Sequence, residues 1–251
     1  MTVSKILKKN RNIAHYFFGM RGGVSSGQFS SLNCGIGSLD KKNNVIKNLN
    51  IAKKRIGCKK NNLLLLNQVH SNKIFKINNI LKKKLIGDGF FTNKKNIALG
   101  ILTADCAPVF IYDKKLKIIG AAHAGWKGAY KGIIKNLINS VKKEGSKTNN
   151  IIAVIGPCIS KKNYEVKNDF VKKFLKKNKK NKIFFDFNSK NIHFDLSHYI
   201  KHQLLSMGIR RIEVIKKDTY AKKNNFFSSR RSSKKNFNDV IFSELSFTLN
   251  N

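Results

Sequence analysis

The residues of this chain best suited to chemistry are His70, Cys106 and His123. Each ends or interrupts a strongly apolar run: "NLLLLNQVHS", "ILTADCAPVF" and "KLKIIGAAHAG". Polar groups at strand ends converge on one rim of a sheet, where α/β proteins often place their sites. Cys and His are donors that suit Zn²⁺, and three protein ligands with a fourth position open describe a catalytic rather than a structural zinc. Spacing alone leaves two readings open, because positions 70, 106 and 123 form no local metal motif. They are a metal triad, or they are a buried apolar thiol and two histidines satisfied by backbone partners. Asp105 stands beside the thiol among Leu102, Val109 and Phe110, where an unpaired charge costs several kcal/mol. It either caps a turn before Pro108 or serves the site as an acid/base or supporting group.

Other segments bear on anions. "GAAHAGWKGAYKG" sets glycines 120, 125, 128 and 132 at a strand-to-helix junction, where exposed N–H groups suit phosphate and Lys127 adds a charge. It is not a Walker A loop, and close helix–sheet packing explains the glycines equally well. "MRGGVSSGQ" holds Arg21 in an N–H-rich loop. Only 7 of the 51 basic residues are arginine, so Arg21 and the pair Arg230 and Arg231 stand out from the lysines. His198 and His202 are four apart on an expected helix but lack the acid of an H-E-x-x-H motif; with His15 and His193 they read as surface or packing residues.

The elements that must position these groups follow from periodicity. A strand at "NIAHYFFGM" leads into a long Gly/Ser/Asn loop, and "NNVIKNLNIAKKRIG" is a helix with Gly57 as its stop. "NLLLLNQVHS" is a strand, with "NKIFKIN" as its hairpin or extended partner. "IALGILTADCAPVFIYD" and "KLKIIGAAHAG" are apolar strands, "WKGAYKGIIKNLINSVKK" is an amphipathic helix with Ile133, Leu137 and Val141 on one face, and "NIIAVIGPCIS" is a strand. A helix around "FVKKFLKK", a strand near "KIFFDF", the helix "DLSHYIKHQLLSMG", the strand "IRRIEVIK" and a tail with "FFSSRRSS" complete a mixed α and β protein.

With 251 residues, 41% of them hydrophobic, the chain can bury a substantial core, and no linker or repeat divides it. One domain over 1–251 is expected. No secretory signal or membrane-spanning run is visible, which points to a cytoplasmic protein with no membrane partner. The four cysteines lie far apart, as free thiols in a reducing compartment do. A net charge of +38 invites a nucleic-acid reading. The excess is almost all Lys, however, and its company of Asn, Ile and Phe is what AT-rich codons produce, so no specific nucleic-acid partner is expected.

The segments "GMRGGVSSGQFSSLNCGIG", "NQVHS", "GDGFFT", "TADCAPVFIYD", "AAHAGWKGAYKGI", "IGPCIS" and "FFSSRR", in this order from about residue 15 to about 245, resemble one family. It is the YfiH-like, laccase-domain family, formerly called multicopper polyphenol oxidases and regarded as purine nucleoside phosphorylases. "TADC" and "AHAGWKG" are the specific motifs. The resemblance implies that His70, Cys106 and His123 bind zinc. It implies an α+β single domain in which mixed β-sheets form a layered sandwich flanked by helices. It also implies phosphorolysis of adenosine and inosine to base and ribose 1-phosphate, with methylthioadenosine as a further substrate and adenosine deamination as a side reaction. Two departures touch the C-terminal edge of the site: Asp218-Thr219 replaces a frequent Cys-Thr, and the usual Gly-Arg after the Arg pair is missing from "SSKKNFNDVIF".

On this reading Asp105 and Gln68 are the candidate catalytic residues, Asp105 carrying protons for a zinc-activated water that attacks C6 of adenine. Arg21, Lys127 and Arg230 are the candidates for holding substrate, above all the phosphate dianion. The alternatives are a copper-dependent phenol oxidase, for which the chain has few histidines, a hydrolase with Cys106 as nucleophile and His123 as base, and a nucleic-acid-binding protein.

Overall fold

The computed structural model describes residues 2–58, 62–80, 83–188, 190–233 and 244–250. In chain order its elements begin with β1 (Ile13–Phe17), α1 (Lys42–Arg55), β2 (Leu63–Leu65), β3 (Ile74–Lys76), β4 (Gly89–Thr92), β5 (Ala98–Thr103), β6 (Ala107–Asp113) and β7 (Ile118–Ala124). Then come α2 (Trp126–Lys131), α3 (Ile133–Lys143), β8 (Ile151–Ile155), β9 (Glu165–Val166), α4 (Asn168–Lys177), β10 (Phe185–Asp186) and β11 (Ile192–Phe194). The chain closes with α5 (Leu196–Ser206), β12 (Arg211–Val214), α6 (Ser229–Ser233) and β13 (Glu244–Asn250).

Alternation along the strands builds the layers. Every residue of β6 is buried, as a strand covered on both faces requires. Phe110 and Tyr112 point one way, into a core shared with Phe17, Leu64, Leu99 and Ile101; Val109 and Ile111 point the other way, against Ile133, Leu137 and Val141 of α3. The first core lies between a six-stranded sheet, β12-β8-β6-β7-β4-β3, and a four-stranded sheet, β1-β13-β5-β2. On the outer face of the smaller sheet, Val45, Leu49 and Ala52 of α1 pack on Leu65, Ala98 and Leu249. The result is a mixed-sheet sandwich with helices on both sides, as the resemblance implied.

Aromatic packing seals one end of the helical layer. Phe174 of α4 is fully buried, with its ring centroid 4.7 Å from that of Phe170 and 4.9 Å from that of Phe194. A small sheet, β10-β11-β9, closes over this cluster.

Several elements differ from the sequence expectation. "NKIFKIN" does not pair with "NLLLL": β3 runs parallel to β4 in the large sheet, while β2 runs parallel to β5 in the small one. The eight residues between β2 and β3 cross from one sheet to the other, and His70 lies on that crossing. The helix expected over 126–143 breaks at Gly132, whose φ of +94° glycine adopts without steric cost. The first three residues of "KIFFDF" belong to a 3₁₀ turn, Lys179–Phe184, and only the next two are strand. The stretch after Ser233 that lacks the family's Gly-Arg lies outside the described residues through position 243.

Candidate metal centre and substrate groove

Three turns deliver the three candidate ligands to one place. Cys106 sits in the tight connection between β5 and β6, where the chain leaves the small sheet for the large one and Asp105 adopts a φ of +85°. His123 is the penultimate residue of β7 and pairs with Pro108 in the β6–β7 register, so it stands beside the start of β6. His70 enters from the β2–β3 crossing with a φ of +56°. One ligand atom from each of the three lies within 4.8 Å of the others, and the two imidazole centroids are 4.7 Å apart. His123 is buried, Cys106 half-buried and His70 exposed, so the cluster opens to solvent on the His70 side.

The donor set fits a metal. Two imidazoles and a thiolate suit zinc, and three protein ligands leave room for a substrate atom. A second observation agrees: a Cβ added to Gly125, the N-cap of α2, would lie 2.6 Å from Cys106 Sγ and 2.9 Å from His70 Nδ1. Glycine is required there so that the backbone can close against the ligand atoms. Gly120 serves packing instead, with Ile111 and Leu137 filling the space of its missing Cβ.

Asp88, just before β4, was missed by sequence reasoning. It is fully buried, and its carboxylate accepts from the backbone N–H groups of Val69, His70 and Ser71, from Ser71 Oγ, and from His123 Nδ1 at 2.8 Å. Burial alone would raise its pKa, but the hydrogen bonds from His123 and Ser71 win and hold it well below the usual carboxylate range. The only signal in the sequence was an acid between two glycines, "GDG", at the head of an apolar run; that pattern reads as a turn. At His123, burial is outweighed by Cys106 and Asp88, which push the imidazole up to about 9. The surroundings thus favour positive charge at this point. Burial, with His123 next, lowers the pKa of His70.

The other residues singled out in the sequence fall into two groups. The Asp105 carboxylate is buried and accepts from Thr219 Oγ1 at 2.6 Å, Ser228 Oγ at 2.9 Å and Arg230 N at 2.7 Å. Burial raises its pKa while these donors oppose the rise. Thr219, next to the substituted Asp218, therefore reaches the turn that carries Cys106. Asp218 itself accepts from Ser160 N, Asn163 Nδ2 and Tyr220 N. Gln68 pairs with the backbone of Leu102 in both directions, Nε2 donating at 2.8 Å and Oε1 accepting at 2.9 Å. Lys127 is exposed one residue into α2, near enough for its charge to depress His70. Arg231 is spent on the carbonyls of Thr219, Tyr220 and Phe226. Arg21 is exposed on the long loop and makes no described contact with the cluster. His198 and His202 both pack edge-on against Phe184.

Arg230 differs from its neighbour. Its Nη1 donates to Glu165 O at 2.9 Å and its guanidinium lies 5.4 Å from the Tyr164 ring centroid. Both residues line a cleft of about 170 Å³ that reaches Asp105 and Cys106. Both also line an adjoining cleft of about 460 Å³ walled by Trp126 and Phe170. The two clefts lie side by side with Tyr164 and Arg230 as common lining residues, and of the three candidate ligands Cys106 lines the smaller one. A separate cleft of about 400 Å³ beside Cys158 and His198 holds none of the three ligands.

Residues 14–237 match the family model described as multi-copper polyphenol oxidoreductase laccase. The chain belongs to that family. The purine nucleoside phosphorylase of Rickettsia conorii is 41% identical over 198 residues, which is 76% of this chain and 82% of the relative. That of Bacteroides thetaiotaomicron is 30% identical over 245 residues, 90% of this chain and 88% of the relative. Among solved structures, the Bacillus licheniformis hypothetical protein YfiH superposes with a TM-score of 0.87 at 27% identity, over 95% of this chain and 93% of that one. Family and fold agree with the resemblance read from the motifs. Among the described residues no helix is long and apolar enough to cross a membrane.

Proposed function

We propose that this family member is a zinc-dependent purine nucleoside phosphorylase. It cleaves adenosine or inosine, and methylthioadenosine, with phosphate to the free base and ribose 1-phosphate, and deaminates adenosine as a side reaction. The observation that carries the reading is the convergence of His70, Cys106 and His123 beside a cleft that Cys106 and Arg230 both line, next to a second cleft lined by Trp126, Tyr164 and Phe170. The relatives named purine nucleoside phosphorylase support an enzyme of this kind.

The groove residues divide the work by chemistry. Trp126, Tyr164 and Phe170 offer ring faces on which a purine stacks. Arg230, fixed by Glu165 O and Tyr164, turns its remaining N–H groups to a phosphate dianion and sets that anion against C1′ of the ribose. Lys127, and Arg21 from its loop, add positive charge that draws the anion in. Phosphate oxygen then bonds C1′ as the C1′–N9 bond breaks, and the purine leaves with a proton. His70, Cys106 and His123 would hold the zinc, which when bound would supply a Lewis acid beside Cys106. Asp105 ties the Cys106 turn to the Arg230 backbone and is also the candidate proton carrier for deamination; Gln68 fixes the strand before that turn.

The test is a nucleoside panel with and without phosphate, on protein whose zinc has been quantified. Phosphate-dependent release of hypoxanthine from inosine, lost on chelation, is the expected result. Base release that ignores phosphate, or activity that follows copper, would overturn it.

A further inference from the structure

We propose that Asp88 is the positioning residue of the metal centre, the group that holds His70 and His123 in the one arrangement that lets both reach a shared cation. The inference rests on the metal-binding reading of the triad but not on the substrate assignment. One carboxylate oxygen contacts both ligands and the other holds the residues on either side of His70. Oδ1 accepts from His70 N at 3.0 Å and from His123 Nδ1 at 2.8 Å; Oδ2 accepts from Val69 N at 3.2 Å, Ser71 N at 2.6 Å and Ser71 Oγ at 2.7 Å.

Each contact has a consequence for a ligand. Three successive backbone donors, 69 to 71, wrap the carboxylate, and this wrap holds His70 at its φ of +56°, which non-glycine residues rarely adopt. With Nδ1 of His123 committed to Asp88, Nε2 is the nitrogen left to face Cys106 and His70. The His123 backbone is locked as well, its N–H donating to Asp88 O at 2.7 Å. One buried acid therefore sets the backbone of one ligand and the ring orientation of the other, although they come from different connections.

A buried acid can also be purely structural, and Asp113 is the internal comparison. It is buried at the far end of β6, where it accepts from Lys115 N and Leu116 N and touches no ligand. The experiment titrates the full-length protein with Co²⁺ alone, reading affinity and the thiolate-to-cobalt and d–d absorption bands. Asp88→Asn is expected to stay folded by circular dichroism, to bind Co²⁺ roughly 10–100-fold more weakly and to change the d–d bands, the usual loss when a metal ligand's outer partner is removed. Asp113→Asn should leave affinity and spectrum unchanged. Folded Asp88→Asn with wild-type affinity and spectrum would overturn the proposal, as would an equal loss in Asp113→Asn. Should Asp88→Asn fail to fold, Ser71→Ala, which removes one donor and leaves the His123 contact, must weaken Co²⁺ several-fold; no change would overturn the proposal. Because no nucleoside is present, intact Co²⁺ binding by a wild-type protein that lacks phosphorolysis would sink the substrate reading and leave Asp88 standing.

Discussion

Asp105 and Arg230 are joined across 125 positions of sequence by a 2.7 Å hydrogen bond from the Arg230 backbone N–H to the Asp105 carboxylate. The bond uses the main chain of Arg230, so the guanidinium is left for the groove, and it fixes that guanidinium to the residue before Cys106. Arg230→Ala keeps this bond. It is expected to raise the phosphate KM roughly 10- to 100-fold with little change in thermal stability, because one charge-assisted contact to an anion is worth about 1.5–3 kcal/mol. Initial rates at varied phosphate check this, and an unchanged phosphate dependence removes Arg230 from the site.

Asp105→Asn separates anchoring from proton carriage. Asn tolerates the positive φ, but it cannot accept from all three donors, and leaving a buried donor unpaired costs about 1–3 kcal/mol. Urea unfolding should show that loss, and protease cleavage between residues 219 and 233 should quicken. If Asp105 also carries protons, deamination of adenosine in the folded variant falls far more than phosphorolysis does; equal retention of both would end the proton-carrier role.

Gly125→Ala places a methyl group only 2.6 Å from Cys106 Sγ and 2.9 Å from His70 Nδ1. Overpacking of this kind costs about 1–3 kcal/mol. Bound zinc, measured by atomic emission after gel filtration, should fall well below one equivalent per chain. Full zinc occupancy in the variant would show that the close approach is not needed for binding.

Cys106→Ala should abolish both zinc retention and inosine phosphorolysis. A loss confined to activity would favour Cys106 as a nucleophile over Cys106 as a ligand.

His15 should contribute a distinct part of the pH dependence of stability between 4 and 6.5. This side chain is buried and its Nε2 accepts from Ser4 N, a bond only the neutral ring can make; burial, opposed by the charge of Glu213, lowers its pKa from 6.5 to about 4. Above pH 6.5 the residue is neutral in folded and unfolded chains alike. As pH falls from 6.5 to 4 only the unfolded chain takes up the proton, so stability drops, by at most roughly 3 kcal/mol, and the effect levels off below 4. Urea midpoints measured across this range should flatten in His15→Gln; an equally steep profile would place the titration elsewhere.

How much of this could be read from the sequence depends on the range of the interactions. The apolar runs of β5 to β8 announce themselves because strands buried on both faces need unbroken hydrophobicity, and α1 shows its buried face at Val45, Leu49 and Ala52. The three candidate ligands stood out because each breaks or ends such a run. Asp88 did not, since its five donors come from 17 to 35 positions away and nothing near it in sequence signals burial. The fate of "NKIFKIN" was hidden for a related reason: periodicity marks a strand but not the sheet it joins, and β3 found β4 rather than β2. Trp126, Tyr164 and Phe170 come from α2, the turn before β9 and α4, and only the folded chain brings them to line one cleft.

The ligands' places in the sandwich have a consequence for assembly. His70 stands on a crossing between the two large sheets, Cys106 on a second crossing, and His123 within the six-stranded sheet. No half of the molecule holds all three, so a cation that used all of them could be captured only once both sheets have met. On the proposed metal binding, the binding energy would accrue to the finished sandwich alone, and chains starved of the cation would shift toward open, protease-sensitive forms.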